Sequence, residues 1–383
     1  MENTNFKPRI NWLDSRWWGV FLLLLYLLLA ASPVIIALIG RPATGEPVLV
    51  QVALAAALFV FSLICLQVIL AERIKTIYRP FGYDILIYFH KGIGVLATLL
   101  IISHPVLQAL GHNNWNLLTF GTSWQVNLGK AALLILILGV LLALFFKKFG
   151  IDYNVWRFSH KGMSIVIILA FFHAFLIGPD IQGGLLRVYW IVMFSAVALV
   201  FLYRNIAVPL WMRYNFKVSD ITQQTHDTYT LTFESEDSKK IVRNPGQFMF
   251  LKLIRPGRKS ELHPFTISAS PLKTNILQAT IKKSGNFTDT IDQTKTGDTG
   301  KIEAPYGRFS YIYDDPEQII FIAGGVGITP IMSMIRCLNE TGDTRPVTLL
   351  YANKTEKDII FREEIRDLPE NFKTVHILSR SDE

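Results

Sequence analysis

Cysteine and charge are both scarce in these 383 residues. Only two cysteines occur, Cys65 and Cys337. The first falls in an apolar run and the second in a polar stretch, which excludes a disulfide framework and a cysteine metal site. Charged residues make up 18% of the chain, against about 25% in an average soluble domain. With 51% hydrophobic residues and a mean hydropathy of +0.33, a wholly soluble protein is excluded, and so is a disordered one. Lys and Arg outnumber Asp and Glu by 38 to 30, a net charge of +8. A nucleic-acid surface would need that excess gathered on a soluble face. Most of it lies between apolar runs, so no nucleic-acid partner is expected.

What the sequence has in abundance is long apolar runs. Six occur in the first half, about Trp17 to Gly40, Val48 to Ala71, Tyr83 to Leu110, Lys130 to Phe146, His160 to Ile177 and Leu185 to Tyr203. Each is near the ~20 residues that a helix needs to cross a hydrocarbon core. The first is too long for a signal-peptide core, and Ile39-Gly40-Arg41-Pro42 leads straight into the next run without a small-residue cleavage pattern. Lys and Arg near the ends set the orientation. Fourteen fall on one side, from Lys7 and Arg9 through Arg73, Arg79 and Lys147 to Arg204, Arg213 and Lys217, whereas Arg41, Lys130 and Arg187 fall on the other. A multi-pass protein of the cell membrane with both termini cytoplasmic is expected, with the third and fifth helices parallel.

Four of the eight histidines lie in those two helices, His90 and His104 in the third, His160 and His173 in the fifth. Imidazoles inside a membrane point to function. The fourteen steps from His90 to His104 bring both rings to within about 40° of one stripe, about 21 Å apart along the axis. His160 and His173 are about 19.5 Å apart, so the depths match, but thirteen steps leave those rings about 140° apart on an ideal helix. A kink, or approach to a shared group from different sides, is expected. Phe89-His90-Lys91-Gly92 and Ser159-His160-Lys161-Gly162 repeat the local pattern. Parallel helices with His at two depths can supply two bis-imidazole haem sites, His90 with His160 on the cytoplasmic side and His104 with His173 on the outer side. Packing histidines are the plain alternative.

After Tyr203 the composition turns polar. Asp227 to Phe233 and Gln247 to Leu253 have strand character, with turns at Asn244-Pro245-Gly246 and Arg255-Pro256-Gly257. Several short strands up to about Tyr313 imply an antiparallel barrel. From Glu317 the pattern becomes strand, glycine loop, helix, strand: Gln318 to Ala323, Gly324 to Pro330, Ile331 to Leu338, then Val347 to Tyr351. This is the opening of an α/β nucleotide-binding domain. Gly324, Gly325 and Gly327 let the backbone approach a pyrophosphate, the helix after them points its free N–H groups at it, and Pro330 suits the first helical turn. Three domains result: residues 1–210, a six-helix transmembrane domain with the candidate haem sites; 211–313, an antiparallel β-barrel; and 314–383, a nucleotide-binding α/β domain.

Four motifs follow in order: His263-Pro264-Phe265-Thr266-Ile267-Ser268, Ile281 to Thr288, Ala304-Pro305-Tyr306-Gly307 and Gly324 to Pro330. The series resembles the ferredoxin-reductase-like flavoproteins. Joined to the His-bearing helices upstream, it resembles the NADPH oxidase and ferric reductase superfamily in a compact prokaryotic form. The resemblance implies FAD, two b-type haems and NADPH as donor, with NADH also admissible, and O₂ as acceptor giving superoxide, with a ferric-chelate reductase as the alternative. No obligatory protein partner is implied. The residues at the reacting flavin would be Phe265, packed on the isoalloxazine, and Thr266, near its N5. His263 would stand where relatives place an Arg near the FAD phosphates. Pro264, Ile267, Ser268 and Lys282 would also bind cofactor, and Ser284, Gly285, Asn286, Phe287 and Thr288 would cradle the FAD pyrophosphate. Gly324, Gly325, Gly327, Thr329 and Pro330 would hold the nicotinamide nucleotide, with Ser379, Arg380 and Lys354 at its 2′-phosphate. Two departures stand out. Gln108 occupies the position one turn beyond His104 where eukaryotic members carry another His. The sequence ends at Glu383, before the Cys-Gly-Pro segment usual in such proteins, so a trimmed or short nucleotide domain is expected.

Overall fold

The computed structural model describes residues 6–40, 45–211, 214–236, 238–258, 260–314 and 316–380. Arg41 and Arg213, counted above for orientation, lie outside them. The chain forms two units, Trp12–Ala207, and Val208–Glu383 together with Met1–Asn11. The N-terminal segment, placed by sequence with the membrane helices, therefore groups with the soluble unit. The reason is specific: the Arg9 N–H donates to the Asn244 side-chain oxygen at 2.9 Å, and the Asn244 amide donates back to the Arg9 carbonyl at 3.2 Å.

The first unit contains six helices long and apolar enough to cross a membrane. They are α1 (Arg16–Gly40), α2 (Val48–Ala71), α4 (Tyr83–Gly111), α5 (Trp124–Phe145), the pair α6 (Tyr153–Gly162) and α7 (Ser164–Ile177), and α8 (Gly184–Leu202), with a short α3 (Lys75–Tyr78) between the second and third; the turn α9 (Val208–Trp211) after them falls in the second unit. Half of the apolar window of α2 is buried, against 11–22% in the other five spans, so α2 is the central helix. Ala53, Val60 and Cys65 on it are fully enclosed. The other helices expose apolar side chains such as Leu24, Leu99, Leu138 and Leu199, as helices facing lipid do.

The fourth span begins at Trp124, six residues before Lys130. Lys130 sits in its second turn because its ammonium donates to the Thr119 carbonyl, to the Thr122 hydroxyl at 2.6 Å and to the Asn127 side-chain oxygen at 3.2 Å. The fifth span is broken at Met163. There the Met163 N–H donates to the His160 carbonyl at 3.1 Å and the Val166 N–H to the Met163 carbonyl at 2.9 Å. Both bonds span three residues, a tighter 3₁₀ turn that advances about 20° more per residue than an α-helix. This rotates His173 toward the His160 side, the correction that their thirteen-step spacing needs. Gly139 of α5 makes room for the Met163 side chain, since a Cβ there would lie 2.7 Å from its methyl.

The second unit opens with six antiparallel strands, β1 (Tyr214–Thr225), β2 (Thr228–Ser235), β3 (Phe248–Ile254), β4 (Leu262–Thr266), β5 (Ile276–Lys282) and β6 (Thr299–Tyr306). They form one sheet in the order β4-β3-β6-β1-β2-β5. The sheet curls until its edges meet, where the Ser268 N–H donates to the Gln278 carbonyl at 2.9 Å. Alternate residues, Phe216 and Val218, Leu231 and Phe233, Leu277 and Ala279, fill the interior. A three-stranded parallel sheet follows, β7 (Ile319–Gly324), β8 (Val347–Asn353) and β9 (Phe372–Leu378) in that order, with α10 (Ile328–Glu340) packed on it and a short α11 (Arg362–Arg366) before the last strand. The Arg336 guanidinium donates to the Ser268 carbonyl at 2.8 Å and the Ser333 hydroxyl to the Ala269 carbonyl at 3.0 Å, so α10 is fastened to the barrel. Both cysteines are free and buried.

Candidate functional site

In the membrane unit the His90 and His160 rings face each other, with centroids 6.0 Å apart and planes at 79°. Imidazole nitrogens bind a transition metal at about 2.0 Å, so two rings on opposite sides of one iron would have centroids about 6 Å apart. The pair therefore fits an axially bound haem iron. The Nδ1 atoms of both rings are buried and lack a partner at hydrogen-bonding geometry, although the Gln67 backbone lies near His90. Trp156, one turn before His160, stacks on its ring at 5.5 Å and on Phe146 at 4.7 Å.

The His104–His173 pair is held differently. His104 Nδ1 lies 2.9 Å from the Ala53 carbonyl of α2, and His173 Nδ1 lies 2.9 Å from the Gln125 carbonyl of α5. A carbonyl accepts only, so each ring carries its proton on Nδ1 and presents Nε2 as the free ligand atom, the arrangement of a metal-binding His with its supporting hydrogen bond. The two rings are close enough to interact electrostatically. Gly129 of α5 receives the His173 ring: a Cβ at this position would lie 2.8 Å from its Cε1 and Nδ1. Among the described residues no three His, Cys, Asp or Glu side chains converge as a metal cluster. The histidines come in pairs, the number that a haem iron with two protein ligands would need.

The expected flavin residues lie along β4 and the loop after β5. Phe265 and Thr266 are half-buried, whereas Ile267 and Ser268 are fully enclosed. Ile267 belongs to the barrel core, so its side chain is not available to a flavin. The Ser268 hydroxyl is bonded within the barrel, to Thr280 at 3.2 Å. His263 is engaged by Glu261, Nε2 to Oε2 at 3.1 Å, and stacks on Phe287 at 4.3 Å. The sequence placed it near phosphates; the structure pairs it with a carboxylate. Pro264 is exposed on the same edge. In the loop, the Ser284 N–H donates to the Thr288 hydroxyl at 3.0 Å and the Gly285 N–H to the Asp289 carboxylate at 3.1 Å. Ser284, Gly285 and Asn286 are exposed. Gly285 does not have a positive φ; what it contributes is open space, with nothing within 4 Å of an added Cβ. These amides already hold oxygen acceptors, the chemistry a phosphate would take over.

Across the carboxyl ends of β7, β8 and β9 lies a cavity of about 310 Å³ lined by Lys282, Gly325, Ala352, Asn353, Lys354, Asp358, Ile377 and Ser379. This is where open α/β sheets bind ligands. Gly324, Gly325 and Gly327 form the turn into α10. Only Gly325 needs a positive φ, at 49°, and nothing lies within 4 Å of a Cβ added at Gly325 or Gly327. Thr329 is buried with its hydroxyl on the Val326 carbonyl at 3.1 Å, so it braces the turn, and Pro330 stands in the first turn of α10. Lys354 and Ser379 line the cavity; Arg380 does not, and its N–H donates to the Lys354 carbonyl at 2.9 Å. Lys282 lines this cavity too, 3.2 Å from Asp227. Burial raises the pKa of the Asp227 carboxyl, but its bonds to Lys282, Thr228 and Thr225 outweigh that and hold it below the usual range.

Three residues went unread in the sequence: Gly129, Tyr351 and Asn353. Tyr351 is fully buried, donates to the Gly325 carbonyl at 3.1 Å and accepts the Ile360 N–H at 3.3 Å. Burial pushes its hydroxyl pKa up to about 12, so it keeps its proton. It pins the glycine turn. Tyr351→Phe should cost about 1 kcal/mol of stability, visible as a lower melting temperature, and should raise the nucleotide KM several-fold with little change in kcat.

Three family models match. Residues 54–171 match the ferric reductase like transmembrane component, 215–311 the oxidoreductase FAD-binding domain and 321–383 the oxidoreductase NAD-binding domain. The chain is 33% identical over 161 residues to NADH-cytochrome b5 reductase 2 of Mycosarcoma maydis, covering 40% of this chain and 46% of that protein. It is 30% identical over 164 residues to the glycine betaine monooxygenase reductase subunit of Pseudomonas aeruginosa, covering 41% and 44%. It thus spans less than half the length of these relatives. Among solved structures, the FAD/NAD-binding domain of a Vibrio cholerae nitric oxide dioxygenase aligns with a TM-score of 0.41 at 20% identity, over 44% of this chain and 76% of that one.

Proposed function

We propose that this chain, whose ferric-reductase-like transmembrane component joined to FAD-binding and NAD-binding domains is the architecture of the NADPH oxidases and ferric reductases, passes electrons from cytoplasmic NADPH across the cell membrane to external O₂ and forms superoxide. FAD, two b-type haems and NADPH would supply the redox chemistry, the flavin converting a two-electron donation into the single electrons that an iron accepts. The observation that carries this reading is the two histidine pairs on α4 and the α6–α7 span, one with rings 6.0 Å apart and the other with both Nδ1 atoms hydrogen-bonded so that Nε2 is free.

The chain's own residues would act by binding and orienting. The glycine turn and the N-terminus of α10 would take the nucleotide pyrophosphate. Lys354 and Ser379 would stand at the 2′-phosphate, with Arg380 reaching in from outside the cavity wall. Phe265 would support the isoalloxazine and Thr266 would face its N5. Thr288 and Asp289 would release the Ser284 and Gly285 amides to the FAD pyrophosphate. His90 with His160 and His104 with His173 would each hold one haem through two imidazoles, and such a group would supply outer-sphere single-electron transfer, the chemistry that gives superoxide from O₂.

The transmembrane match itself favours one alternative acceptor, a ferric chelate. One experiment separates them. Purified protein supplied with FAD and NADPH should show a flavin and two low-spin haems in its absorption spectrum, and should reduce cytochrome c in a superoxide-dismutase-sensitive way. Insensitivity to the dismutase with rapid Fe(III)-chelate reduction would replace the oxidase reading, and a spectrum without haem would reject both.

A further inference from the structure

Asn353 ends β8, is only 7% exposed and lines the cavity at the carboxyl ends of the parallel strands. Neither its amide nitrogen nor its amide oxygen has a partner at hydrogen-bonding geometry, although the Tyr351 hydroxyl lies beside the amide. That hydroxyl already donates to the Gly325 carbonyl and accepts the Ile360 N–H. The Asp358 carboxylate on the same wall accepts the Thr355 N–H at 3.0 Å and its hydroxyl at 2.9 Å. Buried carboxamides are seldom left with both ends unsatisfied, and one that faces a cavity marks the place of a ligand with a donor and an acceptor of its own.

Strand order says which part of the ligand that is. β8 lies between β7 and β9, with Gly324 in register with Ala352 and Asn353 in register with Leu378. Neighbouring strands are about 4.8 Å apart. A dinucleotide with its pyrophosphate on the glycine turn after β7 and its 2′ substituent at Ser379 after β9 must carry its adenosine ribose across the end of β8. A ribose hydroxyl donates and accepts, as a carboxamide does. We infer that Asn353 hydrogen-bonds the adenosine ribose of the nicotinamide nucleotide and sets which nucleotide the site admits. The inference rests on the nucleotide-driven reading above.

The neutral amide is what makes the position permissive. It can pair with a free 2′-hydroxyl or stand beside a 2′-phosphate, whose charge Lys354 and Lys282 on the same wall would offset. A carboxylate of the same shape would keep the bond to a hydroxyl and repel a phosphate.

The test uses the full-length purified protein, with flavin reduction followed under NADPH and under NADH. Asn353→Ala should raise KM for both nucleotides about tenfold, the worth of one hydrogen bond, with kcat retained. Asn353→Asp should raise KM for NADPH at least about tenfold more than KM for NADH. Because Asn353→Asp keeps the side-chain shape, it decides the matter if Asn353→Ala fails to fold. Unchanged KM values in Asn353→Ala, or an equal change for both nucleotides in Asn353→Asp, would overturn the inference while leaving the electron path intact. Absence of flavin reduction by either nucleotide in the wild-type protein would instead remove the functional reading and this one with it.

Discussion

Replacing His173 with alanine should leave about one of the two proposed haems per chain, because each would be held by two histidines and this one would lose half of its protein ligation. His104→Ala should do the same, since both rings serve one site. Reduction of the flavin by NADPH should be preserved in both variants, because no residue of the barrel or of the nucleotide cavity is altered. Delivery of electrons to the external acceptor should be nearly abolished. The readouts are the haem-to-flavin ratio, the reduced-minus-oxidised spectrum and the acceptor rate. An unchanged haem content in both variants would sink the ligand assignment. His90→Ala and His160→Ala should remove the other haem and stop transfer at the flavin, which separates the pairs by order along the path.

The second large effect is expected at a residue that ligates nothing. Gly129→Ala should weaken retention of the outer haem by about 10- to 100-fold, the loss typical when the support of a metal ligand is disturbed. A Cβ there would lie 2.8 Å from two atoms of the His173 ring and 2.9 Å from a third, whereas carbon atoms prefer about 3.5–4.0 Å. The ring cannot simply turn aside, because its Nδ1 is held by the Gln125 carbonyl on the same helix as Gly129. Either that bond breaks and Nε2 loses its aim, or α5 and α7 move apart. Haem content after purification, compared with the untouched His90 and His160 site as internal standard, checks it. Full retention of both haems with an unshifted spectrum would show that the contact is slack and the prediction wrong.

Much of the architecture was legible because its causes are local. An apolar run of about 20 residues has one stable place, and alternation of apolar residues in β2 and β3 or a glycine turn between β7 and α10 is written in neighbouring positions. The ends of elements were less legible. Lys130 looked like the start of a span, but its ammonium reaches the Thr119, Thr122 and Asn127 oxygens, so the helix extends beyond it to Trp124. The angular mismatch between His160 and His173 could be counted but not resolved, since its resolution is a break at Met163 that the residue spacing does not announce. The engagements of individual side chains were not legible, because spacing does not say which faces meet: Lys282 lines the nucleotide cavity beside Asp227, His263 pairs with Glu261 and Ile267 packs into the barrel core.

By itself the sequence determined the six apolar spans, the four histidines at matched depths, the order of flavin and nucleotide motifs, and a charge excess placed between the spans, because each depends on composition or spacing within a single segment. Only the tertiary structure decided that the His90 and His160 rings come to 6.0 Å, that the outer pair leans on the Ala53 and Gln125 carbonyls, that Gly129 is the floor under His173, and that Tyr351 and Asn353 belong to the nucleotide cavity. Those facts are relations between segments 26 to 70 residues apart, and a relation of that kind exists only once packing has fixed which faces meet.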